Sequence, residues 1–142
     1  MKNYKIIFLK MAIGLIFILS IILSILWIPK LPKVFYAVYP TIIPFFIALF
    51  KGLKLLNLIE KDEAFSASSA LCLKQISFYA FLIATFYCLA STMLLIFNYK
   101  HNFMITCISF FFASFFISVF SSVLSELMEN AVKIKTENDL TI

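Results

Sequence analysis

The sequence predicts an all-α integral membrane fold, an antiparallel bundle of four spanning helices, and three observations carry that expectation. Of its 142 residues, 63% are hydrophobic and only 13% charged, well outside the balance of a chain built to face water. The apolar residues fall into four runs of roughly bilayer-spanning length. The charges gather at the ends of those runs, whereas a soluble helix would carry them along an exposed face.

The first span is expected at about residues 7–28, its apolar run starting at Met11 after Lys2, Lys5 and Lys10, with "PKLPK" behind. It is longer than a secretory h-region and lacks a small-residue cleavage pattern, so it reads as a retained anchor. Pro29 and Pro32 close it. The second span, about 34–53, has Pro40 and Pro44 near its start, and its helix continues through "KGLKLLNLIEK". A polar connector at 60–69, "EKDEAFSASS", follows, with Ser66 as the expected N-cap of the next helix. The third and fourth spans, 76–97 and 103–124, are joined by a tight turn at "YKHN". Helix pattern overruns both spans, from Ser66 and to about Lys135, so these two helices should form a long hairpin projecting into the cytoplasm.

Lysine placement sets the expected orientation. With the N-terminus inside, nine lysines are cytoplasmic, and only Lys30, Lys33 and Lys100 lie outside. The chain is therefore expected in a bacterial cytoplasmic membrane with both termini cytoplasmic. Trp27, Tyr36, Tyr39 and Tyr99 suit an outer aromatic belt. All twelve basic residues are Lys, which argues against direct nucleic-acid binding, because bidentate base and phosphate readout favours Arg.

Helices in lipid associate through small residues that let backbones approach. Ser77, Ala80, Ala84, Cys88 and Ser91 form such a stripe on the third helix, and Ser114, Ser118, Ser121 and Ser125, with Ser122 beside them, form one on the fourth. Helix packing is the expected role. A polar substrate path is the alternative, with no charged group to accompany it. Taking the turn centre at residues 100–101 puts Lys74 level with about residue 127, near Glu126 or Glu129.

Catalytic, cofactor and metal sites are not expected. The one His, His101, has no acid on its side of the membrane, no Asp or Glu falls inside a span, and Cys72, Cys88 and Cys107 lack metal-site spacing. Gly14 and Gly52 are too few and too far apart for a phosphate loop. Lys51 and Lys54 are candidates for lipid headgroups, with snorkelling at a helix end as the plainer reading. At the C-terminus, Leu127, Ala131 and Ile134 share a helical face, and past Thr136 the chain is expected to loosen. Glu137, Asn138, Asp139, Leu140 and Ile142 would then form an extended docking peptide, Leu140 and Ile142 supplying alternating apolar contacts. A frayed idle end (residues 136–142) is the competing reading.

"IPFFIALF" with "LKLLNLIEKDEAFS", and the closing "VKIKTENDLTI", resemble the bacterial membrane family known as domain of unknown function 2975. The resemblance implies four membrane helices and no established activity. It also implies a partner, since members are often encoded beside a small helix-turn-helix transcription regulator. The expected function is thus a non-enzymatic membrane protein that regulates or tethers such a regulator. A small transporter or channel subunit, or a bacteriocin-type immunity protein, is the alternative. The lipid bilayer is the other expected partner, and a homo-oligomer is compatible with the sequence.

Overall fold

In a computed structural model, residues 2–27 and 39–141 are described, and they form four α-helices. These are α1 (Lys2–Trp27), α2 (Tyr39–Glu60), α3 (Ala67–Ile96) and α4 (His101–Thr141). All four are long and apolar enough to cross a bilayer. The stretch 28–38, with Pro29, Lys30, Pro32, Lys33 and Tyr36, lies outside the described residues, as does Ile142.

Helix ends follow from local chemistry, and neither C-terminal stop uses glycine. Asp62 (φ 59°) ends α2 and Asn98 (φ 50°) ends α3, both in the left-handed region that Asn and Asp tolerate. Glu63 N–H donates to Leu58 O (2.8 Å) and Asp62 N–H to Ile59 O (3.1 Å). Tyr99 N–H donates to Leu94 O (3.1 Å) and Asn98 N–H to Leu95 O (3.3 Å). Each pair is the double bond of a Schellman cap, which satisfies carbonyls that would otherwise be orphaned. Ser66, extended at φ −131° and ψ 160°, accepts from Ser69 N–H and so caps the start of α3, the role expected of it. Within α2, Pro44 leaves the Pro40 carbonyl without its usual donor, one of the few defects a spanning helix absorbs.

The helices pack chiefly with their neighbours in sequence: α3 with α4 most extensively, α2 with α3 next, and α1 with α2 least. On α3 the inward positions are Ala70, Leu73, Ser77, Ala80, Ala84, Tyr87, Ser91 and Leu94, all buried or half-buried. On α4 they are Cys107, Phe111, Ser114, Ser118, Ser121, Ser125, Met128 and Val132. Both series alternate steps of three and four. That mean repeat of about 3.5 residues is the mark of a left-handed coiled-coil seam.

This repeat corrects two sequence expectations. Cys88 is exposed, because a 3.5 repeat steps from Ala84 to Tyr87, where a four-residue step had pointed to Cys88. The turn occupies residues 97–100, ahead of the expected "YKHN". Ala70 therefore meets Ser125 and Ser77 meets Ser118, which sets Lys74 level with about residue 121. Among the described residues no carboxylate lies within ion-pair distance of Lys74.

The C-terminal segment is the third correction. Glu137, Asn138, Asp139 and Leu140 are helical, not extended. Thr136 Oγ1 donates to Val132 O (2.9 Å), keeping the hydroxyl satisfied inside the helix. The propensity cost of Asn and Asp is only some tenths of a kcal/mol each, too small to stop a helix already 35 residues long at Lys135.

Candidate functional site

Three features rise above plain helix packing, and each is built from residues the sequence supplies. The first is the polar seam between α3 and α4. Ser77 Oγ donates to Ser118 O (2.8 Å) and Ser118 Oγ donates to Ser77 O (3.0 Å), a reciprocal pair joining two backbones. Lower on the same seam, Ser125 Oγ donates to Ala70 O (2.9 Å). Ala80 and Ala84 are buried, and Ser114 is half-buried. Small side chains bring the helices close enough for a hydroxyl on one to reach a carbonyl on the other.

The second feature is a cavity of about 530 Å³ to which all four helices contribute. Ile13 of α1, Phe45 and Leu49 of α2, Ala80 and Tyr87 of α3, and Ser114 of α4 are among its walls. Polar side-chain atoms in it are few: the hydroxyls of Ser114, Thr41 and Tyr87. Tyr87 also stacks on Phe110, with ring centroids 5.3 Å apart. The lining contains no charged side chain. Spacing could not have found this cavity from sequence, since it depends on how far α1 stands from α4.

The third is the free length of α4. Ala70 meets Ser125, so the start of α3 falls level with about residue 128, and α4 runs on for about a dozen residues. Along that extension and the turn before it, Leu127, Ile134 and Leu140 are exposed among Glu126, Glu129, Lys133, Glu137 and Asp139. Lys51 is half-buried and Lys54 exposed on α2, two turns before its end. Lys10 of α1 forms an ion pair with Glu60 at the end of α2.

The profile of a family described as "Protein of unknown function (DUF2975)" matches residues 2–142, nearly the whole chain. The chain belongs to the DUF2975 family. Over 160 aligned positions it is 34% identical to "Uncharacterized membrane protein YoaS" of Bacillus subtilis (strain 168), covering all of both chains. No solved structure matches. Membership agrees with the sequence resemblance, and a full-length relative named as a membrane protein agrees with four spanning helices in this DUF2975 chain.

Proposed function

We propose that this DUF2975 protein is a non-enzymatic, multi-pass protein of the bacterial cytoplasmic membrane that tethers or regulates a cytoplasmic helix-turn-helix transcription regulator. In this reading the four helices form an antiparallel bundle with both termini cytoplasmic, and the α3–α4 hairpin projects inward. The observation that carries it is the length of α4. Its 41 residues extend about 60 Å at 1.5 Å each, twice the hydrocarbon thickness, so a spanning α4 has a long stretch outside the lipid. That stretch is charged, with apolar side chains exposed among the charges, the composition of a protein-docking helix. The absence of Arg leaves DNA reading to the partner. A small transporter would build on the four-helix cavity, but its lining offers a proton or ion no relay.

Two measurements test this reading. Reporter fusions after Lys33, Glu63, Lys100 and Ile142 are expected to read out, in, out and in, from the nine-to-three lysine bias. An external signal at Glu63 or Ile142 overturns the orientation. Capture of a co-expressed helix-turn-helix regulator, of the kind the family resemblance implies, is expected to fail when Glu137–Ile142 is deleted, with membrane insertion unchanged. The paired change Leu127→Ser and Ile134→Ser should also lose it, since both remove apolar contact from α4. Full capture by both variants overturns the tethering role.

A further inference from the structure

We infer that the groove between α2 and α3 binds one anionic phospholipid, an acyl chain lying along Pro40–Ile47 and the phosphate held by Lys51 and Lys54. The groove, about 390 Å³, is walled by Pro40, Pro44 and Ile47 on one side and by Tyr79, Leu82 and Phe86 on the other. It is distinct from the four-helix cavity, although Thr41 and Ile83 border both. Its lining is apolar, and neither proline carries a backbone N–H. Such a trough takes a hydrocarbon chain.

Helix periodicity then fixes what stands at its end. Pro40, Ile43 or Pro44, Ile47, Lys51 and Lys54 follow at spacings of three and four, so they occupy one face of α2. The groove-lining face thus leads directly into two lysines, the first about 6 Å and the second about 10 Å along the axis beyond Ile47. Neither has a carboxylate within ion-pair distance among the described residues, whereas Lys10 is matched by Glu60. A mainly apolar groove with two unmatched cations beyond its end on the same helix face complements an amphiphile with an anionic head. Tyr79, on the groove wall, adds a hydroxyl able to donate to a phosphate or ester oxygen. Snorkelling explains lysines at a helix end but not a trough leading to them. A zwitterionic lipid fits the trough, yet its own ammonium competes for the phosphate charge.

The test uses the full-length protein in detergent, with native mass spectrometry and thermal shift reading lipid binding. Phosphatidylglycerol should bind and raise the melting temperature, with phosphatidylcholine, oleate and inorganic phosphate each at least tenfold weaker. Lys51→Gln combined with Lys54→Gln should weaken phosphatidylglycerol about 30-fold, about fivefold per lysine. Ile47→Trp, which fills the trough and keeps both cations, should weaken it comparably, while Lys100→Gln should not. Should the double lysine variant fail to fold, Ile47→Trp and the lipid comparison on the native chain still decide. Unchanged phosphatidylglycerol binding in a folded variant, or phosphatidylcholine, oleate or phosphate binding as tightly, overturns the assignment.

Discussion

Ala84→Leu and Ser118→Leu are each expected to lower the protein's melting temperature in detergent sharply, by about 1–3 kcal/mol of stability at Ala84 and a few tenths more at Ser118. Ala84 is 2% exposed and Ser118 6%, so neither position has room for a larger side chain. Overpacking a filled site costs about 1–3 kcal/mol. At Ser118 there is a second loss, because Leu removes the donor to Ser77 O. In a membrane interior, interhelical hydrogen bonds of this kind average only about 0.6 kcal/mol. Ser118→Ala separates the contributions, since it keeps the space and loses only the bond. The expected order is therefore wild type, then Ser118→Ala slightly below, then the two Leu variants far below. If both Leu variants melt with the wild type, the α3–α4 seam does not hold these helices together.

The second large effect is expected at the start of α3. Ser69 is fully buried, its N–H donates to Ser66 Oγ (3.3 Å) and its hydroxyl donates to Glu63 O (3.1 Å). Ser66 Oγ donates to the same carbonyl (2.7 Å), so two serines fix the connector against the helix it precedes. Ser66→Ala removes the cap and should cost about 1 kcal/mol. Ser69→Leu should cost about 2–4 kcal/mol, since it combines overpacking with a lost hydrogen bond. Melting curves in detergent check the ranking. Equal stability of Ser69→Leu and Ser66→Ala would mean the site has space that its burial denies.

Four apolar helices were legible because lipid demands long uncharged runs, a signal far stronger than local propensity. The capping role of Ser66 was legible for a similar reason, a hydroxyl standing just ahead of a helical run. The stops at Asp62 and Asn98 were not. With no glycine at either, nothing in composition singles out which polar residue takes a left-handed conformation. That uncertainty displaced the α3–α4 turn by a few residues, and with it the expected neighbours of Lys74. Cys88 was misplaced by a single step. Small residues at 84 and 88 obey a helical spacing, and only a supercoiled partner selects 87 in their place. The helical end of α4 was obscured by counting turn-formers, whose preferences are weak beside the cooperativity of an established helix.

The seam's repeat also bears on how this hairpin can move. Sliding α4 by one residue past α3 would rotate its inward face by about 100°, carrying Ser118 and Ser125 away from the carbonyls they reach. Intermediate offsets are therefore penalised, and the next offset that restores the pattern is a whole heptad, about 10 Å away. The tight turn at 97–100 opposes so large a displacement, because spanning it would draw its four residues out nearly straight, at about 3.3–3.6 Å each, and break the cap bonds of Asn98 and Tyr99. A piston stroke that changes the register is therefore disfavoured for this pair. A tilt of the two-helix rod keeps these bonds, and its sweep is greatest along the α4 extension that carries Leu140.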